Sequence, residues 1–259
     1  MSSRSEIIEN LRTVFTSFGD VAASLTPAQW ETQSLCPAWD ARGVVLHITT
    51  VESALLGWRP GDDNPFGRIP AITETLNDLH QAELVASYRS VTAQRIDELN
   101  TMTDDEFDAP SVTPVGPGTY GRFMAIREFD LWVHERDIRV PLGLPGDDGG
   151  PAAEMALDEV HGSLGYIVGK KIGLEDGKGI AIELNGPVHR RLMAKVDGRA
   201  ARVDELPAPD VTISMDSLTF MLLACGRIDP ENAIADGLVA VSGDTDLGDH
   251  AARNLAFTM

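Results

Sequence analysis

The sequence predicts an α + (α+β) chain: a four-helix bundle over residues 1–143, followed by a smaller α+β domain over residues 150–259. Three observations predict it. Apolar residues recur at spacings of three and four through the N-terminal region. Short alternating stretches replace that rhythm in the C-terminal region. Between them "PLGLPGDDGGP" stops any regular element.

The first helix is expected over about Ser5–Leu25, where Ile7, Leu11, Val14, Phe18, Val21 and Leu25 share one face. "SLCPAW" breaks that pattern, and Asp40 is an N-cap for the next helix. In that second helix Val44, Ile48, Val51, Leu55 and Trp58 form an apolar stripe, and His47 lies on the same face. The glycines and prolines of "GWRPGDDNPFGRIP" read as a loop. A third helix covers about Leu79–Leu99, with Leu84, Tyr88, Val91 and Ile96 near its inner face. "DAPSVTPVGPGTYG" reads as a further loop before a fourth helix over about Tyr120–Val140. Two long connections imply that the helices are not all joined as simple hairpins.

The C-terminal region is expected to begin with a helix over about Ala152–Lys170. "GIAIEL", "RRLMAKV", "RAARV" and "DVTISM" then read as strands. "DSLTFMLLACG" reads as helical, "GLVAVSG" as a strand, and "DTDLGDHAARNLAF" as a closing helix capped by Asp244 or Thr245.

Composition narrows the function. Hydrophobic residues make up 43% of the 259, charged residues 24%, and the net charge is −19. Phosphate backbones and anionic bilayers both call for a basic surface, so nucleic-acid and membrane partners are not expected. No apolar run approaches the ~18 residues of a membrane helix. The polar, acidic start "MSSRSEIIENLRTVF" lacks the order of a secretory signal, so a cytoplasmic location is expected. Cys36 and Cys225 have no nearby partner in sequence, which suits reduced thiols. Cys36 reads as a small buried hydrophobe rather than a reactive thiol.

The chemistry concentrates in "REFDLWVHERDIR". Asp130 and His134 are four residues apart and project from one helix face, where they can grip one metal ion. Asp137, three further on, can orient a ligand imidazole, or pair with Arg139 or another basic side chain. His47, on a different helix of the same bundle, is either a satisfied core histidine or a further donor to the same ion. Arg127 and Arg139 read as partners of acidic neighbours. His80, His161, His189 and His250 read as solvated or structural. There is no phosphate-binding glycine loop and no G-x-S-x-G elbow.

"CPAWDARGVVLHI" (Cys36–Ile48) resembles the C-P-G-W-(T/S/D)-x-(R/K)-(D/E)-L-x-x-H-(L/I) segment of DinB-like, mycothiol-dependent maleylpyruvate isomerase proteins. "REFDLWVHERDIRVPLG" is similar to their R-x-x-D-x-W-x-H-x-x-D-(I/L)-R segment. "DVTISMDSLTFMLLACGR" and "VAVSGDTDLGDHAARNLAF" resemble the sterol-carrier-like C-terminal domain of the same proteins. The resemblance covers nearly the whole chain. It implies a DinB-type bundle holding one divalent metal, usually zinc, on His47, Asp130 and His134, with Asp137 behind them. Gly43 departs from the acidic residue common in the family, which weakens the helix by up to ~1 kcal/mol.

The resemblance further implies a low-molecular-weight thiol, mycothiol or a like molecule, at the metal's open position. Coordination deprotonates that thiol, and the thiolate attacks a small electrophile. Isomerisation follows if it adds and leaves, and S-transfer if it stays. The catalytic group is then the bound thiol, and no cofactor-binding residues stand out. Two alternatives share the metal: a metal-dependent hydrolase, and a non-haem iron site of the two-histidine, one-carboxylate type, with Fe2+ or Ni2+ in place of Zn2+. A third makes the second domain a binder of lipid or another small apolar ligand, with "LTFMLLA" lining a pocket. Substrate and oligomeric state are open.

Overall fold

A computed structural model describes residues 2–258. The chain divides into two compact units, Met1–Gly146 and Asp147–Met259.

The first unit contains α1 (Arg4–Ser24), α2 (Pro27–Trp30), α3 (Ala41–Leu55), α4 (Ile69–Asn77), α5 (Gln81–Thr101), α6 (Asp104–Asp108), a β1–β2 hairpin (Pro110–Thr113 and Gly116–Thr119), and α7 (Tyr120–Arg139). The long helices α1, α3, α5 and α7 form the bundle. α1 packs on α5 and α7, and α3 packs on the same two. Each helix therefore has two neighbours, and the consecutive pair α1 and α3 occupy opposite corners. Leu11, Phe18, Val44, Ile48, Leu55, Leu84, Tyr88, Leu99 and Leu131 are fully buried between them. Burying side chains of this kind contributes roughly 1.5–3 kcal/mol each, which is what offsets the entropy of fixing the helices.

The helix starts follow capping chemistry. The Ser3 side chain accepts from the Glu6 N–H, and Glu6 answers at the Ser3 N–H. Asp40 Oδ1 accepts from the Gly43 N–H at 2.7 Å, starting α3 where the sequence placed it.

The short helices α2 and α6 have no counterpart in the sequence expectation, and two longer segments also differ from it. A 3-10 turn at Pro65–Arg68 lies inside the stretch whose prolines and glycines read as a loop, and α4 follows from its end, where no element was expected. Pro70 lies in its first turn, where the missing N–H has no helical partner to lose. The "DAPSVTPVGPGTYG" segment is a hairpin, with Pro110 opposite Thr119 and Thr113 opposite Gly116. Gly116 takes φ 109°, and the Thr113 hydroxyl closes the turn onto the Gly116 carbonyl at 2.7 Å.

The second unit contains α8 (Gly150–Gly162), α9 (Leu164–Tyr166), a π-helical turn at Ile167–Ile172, β3 (Gly179–Asn185), β4 (Arg190–Asp197), β5 (Arg199–Arg202), β6 (Val211–Asp216), α10 (Ser217–Ala224), α11 (Pro230–Ala235), β7 (Ala240–Gly243) and α12 (Thr245–Arg253). The strand order is β5-β4-β3-β6-β7, antiparallel except for the parallel β3–β6 pair. Leu192 and Ala194 of β4 are buried while Arg191 and Lys195 are exposed, as expected for a sheet covered on one face.

The helix expected over Ala152–Lys170 is interrupted at Ser163 and ends at Gly173 with φ 68°. Gly165 and Gly169 let this segment pack closely on β5. A Cβ at either would meet Ala200 of β5, at 3.1 Å from its carbonyl oxygen and 2.9 Å from its Cβ respectively. The segment lies directly on that strand only because both positions lack a side chain. α11 has no counterpart in the sequence expectation. α12 is capped by Asp244, whose Oδ1 accepts from Leu247 N–H. Among the described residues no helix is long and apolar enough to cross a membrane.

Candidate metal centre

α3 and α7 bring His47, Asp130 and His134 together. Their donor atoms lie within 4.8 Å of one another. His134 Nε2 is 3.7 Å from Asp130 Oδ1, and His47 Nε2 is 4.0 Å from Asp130 Oδ2. These separations exceed hydrogen-bond range, so the three groups face a shared space rather than each other. The His47 and Asp130 side chains keep 29% and 31% exposure against 7% for His134. The space is therefore reached from the His47 and Asp130 side.

Each of the three side chains is held from behind. His134 Nδ1 is 2.8 Å from Asp137 Oδ2. A carboxylate only accepts, so the imidazole donates through Nδ1 and turns Nε2 toward Asp130 and His47. Arg127 Nη1 donates to Asp130 Oδ2 at 2.7 Å, which leaves Oδ1 facing His134. Arg127 is itself anchored by its Nε donating to buried Glu52 at 2.9 Å. Trp39 stacks on His47, with centroids 4.6 Å apart and planes at 24°, and also borders His134 at 5.9 Å.

Electrostatics suit the donors to a cation. Burial lowers the His47 pKa to about 4; Asp130 opposes this, while His134 and Arg127 add to it. The ring is neutral, with its lone pair available, at neutral pH. For Asp130, burial alone would raise the pKa, but Arg127, His134 and His47 outweigh it and hold the carboxyl at about 2. Two imidazoles and an ionised carboxylate, one imidazole oriented by a second carboxylate, are a donor set of the kind that binds zinc. The residues fit such an ion.

Asp137 sits behind His134, as one of its sequence readings allowed. Arg127 and Arg139 pair with acidic neighbours, Arg139 through its Nε to Glu135 at 2.8 Å. Cys36 is a buried thiol outside any disulfide, and it donates to Asp137 Oδ2 at 3.0 Å. Sequence reasoning missed Trp39 and Glu52. Glu52 had left a signal: it stands four residues after Ile48 and three before Leu55, a carboxylate within the apolar face of α3.

A helical bundle with two imidazoles and a carboxylate converging from facing helices has the build of a metal-site enzyme domain. Residues 11–139 match the family model of the mycothiol maleylpyruvate isomerase N-terminal domain, and residues 154–251 match the C-terminal domain of the same proteins. The chain belongs to the mycothiol-dependent maleylpyruvate isomerase family, and it is an enzyme.

Among solved structures, the mycothiol-dependent maleylpyruvate isomerase is similar over 93% of this chain and 96% of that chain, with 16% identity and a TM-score of 0.65. A point mutant of the same enzyme gives the same identity and coverage with a TM-score of 0.63. Sterol Carrier Protein 2 Like 2 from Aedes Aegypti overlaps 39% of this chain and 96% of that chain, with 16% identity and a TM-score of 0.32. No curated protein matches by sequence.

Proposed function

We propose that this chain is a zinc-dependent isomerase that uses mycothiol or a similar small thiol on an unsaturated acid of the maleylpyruvate type. The carrying observation is the convergence of His47, Asp130 and His134 around one space open to solvent on one side. In this reading His47, Asp130 and His134 would hold the ion and leave it open to the thiol. A divalent ion bound there supplies Lewis acidity, which lowers the pKa of a coordinating thiol and makes it nucleophilic at neutral pH.

The remaining work belongs to the chain. Asp137, accepting from Nδ1, holds the His134 ring with Nε2 aimed at the ion. Arg127 occupies one oxygen of Asp130, so the carboxylate presents the other. Trp39 fixes the plane of the His47 ring and walls one side of the space. The family membership and the description of the similar solved enzyme supply the thiol and substrate class. Two buried cysteines that form no disulfide suit a reducing cytoplasm.

The test is metal content and thiol-dependent turnover of the purified, tag-free protein beside His47→Ala. About one equivalent of zinc in the parent, lost in the variant, is expected. Mycothiol-dependent isomerisation of maleylpyruvate should appear only in the parent. A parent that takes up no metal after soaking with zinc would make His47 a core histidine and overturn the reading.

A further inference from the structure

A second set of donor atoms lies against the first. Cys36 Sγ, His134 Nδ1 and Asp137 Oδ2 are buried and mutually close. Their spacing is that of hydrogen bonds: Asp137 Oδ2 is 3.0 Å from the sulfur and 2.8 Å from the ring nitrogen. A metal between them at ~2.0–2.3 Å from each donor would hold neighbouring donors roughly 3.3–3.5 Å apart. The set is therefore a pair of protons pointed at one carboxylate oxygen. Sulfur and ring nitrogen are 3.8 Å apart, too far for a useful bond between themselves.

The loop carrying Cys36 is built to hold this arrangement. Leu35 N–H donates to the Asp137 carbonyl at 3.0 Å, satisfying one of the orphan carbonyls in the last turn of α7. The Cys36 carbonyl accepts from Trp39 N–H at 3.0 Å and from Gln33 Nε2 at 2.8 Å. The Cys36 N–H donates to the Ser34 hydroxyl at 3.1 Å. The same short loop thus carries Trp39 onto one imidazole and Cys36 onto the carboxylate behind the other.

We propose that Cys36 is a positioning residue for the metal centre: its S–H fixes the Asp137 carboxylate that orients His134. The thiol acts as a hydrogen-bond donor. This rests on the metal reading above. Removing the donor takes away one of the hydrogen bonds made by Asp137 Oδ2, loosens the His134 ring behind which it sits and weakens the grip on the ion, while leaving the bundle folded. Partners behind a ligand typically tune metal affinity by ~10–100-fold, and a group one bond further back is expected near the lower end.

The test is zinc affinity by competition with a chromophoric chelator for the parent, Cys36→Val and Cys36→Ser. Thermal unfolding of the metal-free forms runs alongside. Valine replaces the thiol by an apolar group, while serine keeps a donor. Cys36→Val should weaken zinc binding by about tenfold with little change in metal-free unfolding, and Cys36→Ser should return to within about threefold of the parent. A cobalt-loaded parent should show no sulfur-to-metal charge-transfer band.

Val and parent binding equally, Ser as weak as Val, or a charge-transfer band lost in Cys36→Ser would each overturn the role of donor. A parent without metal would instead remove the metal reading, and this inference with it.

Discussion

Gly43→Ala should destabilise the metal-free protein, against the ordinary expectation for a helix. Position 43 lies in the first turn of α3, and exchanging glycine for alanine in a helix gains up to ~1 kcal/mol. The added Cβ, however, would sit 2.9 Å from Trp39 Cβ and 3.2 Å from both Trp39 Cγ and Asp40 Oδ1. Trp39 cannot yield cheaply. Its N–H is bonded to the Cys36 carbonyl at 3.0 Å, and its own carbonyl accepts from Ser34 Oγ and Gln33 Nε2, each at 2.7 Å.

Overpacking of this kind costs about 1–3 kcal/mol, and lifting the indole from His47 forfeits a further ~0.5–1.5 kcal/mol. These two costs partly exclude each other, because a moved ring relieves the clash. A net loss of roughly 0.5–2 kcal/mol is expected. Urea denaturation of metal-free parent and variant measures it. The ring-current shifts of the His47 imidazole protons report whether Trp39 has moved. A variant more stable by ~0.5–1 kcal/mol with unchanged His47 shifts would refute the reasoning. Gly43 would then be a propensity defect with no role in seating the tryptophan.

Other outcomes follow from the same contacts. Glu52→Ala removes the buried partner of Arg127 and the carboxylate 3.5 Å from Arg95 Nε, and should cost about 3–5 kcal/mol in denaturation; a loss under ~1 kcal/mol would contradict it. The metal-free protein should lose stability as pH falls from 6.5 toward 4. His47 takes up its proton at about 4 when folded but near 6.5 when unfolded, so the unfolded chain binds more protons in that window. The loss is on the order of 1–3 kcal/mol, and a His47→Gln variant should lack it. Asp130, held at about 2 against an ordinary 3.8, adds a second loss of the same sign at lower pH.

Much of this molecule is written in local spacing. Apolar residues three and four apart mark α1, α3, α5 and α7 because a helix face repeats at 3.6 residues and must be covered. The same arithmetic puts Asp130 and His134 on one face, and singles out His47 as an imidazole within an apolar stripe. The alternation of Leu192, Ala194 and Val196 marks a half-buried strand in the same way.

Features that depend on another segment's position were silent. The β1–β2 hairpin hides in a run of prolines and glycines because both its strands are short and carry few of the residues that favour strands. The close approach of the segment after α8 to β5 depends on that strand lying where a side chain at Gly165 or Gly169 would have to go. The stack of Trp39 on His47, the bond from Cys36 to Asp137 across 101 positions and the bond from Arg127 to Glu52 across 75 follow no local period. Such contacts arise when helices pack and a loop docks on a helix end. A sequence can show that an imidazole faces inward, but what holds its ring in place depends on which distant side chains the packing delivers to it.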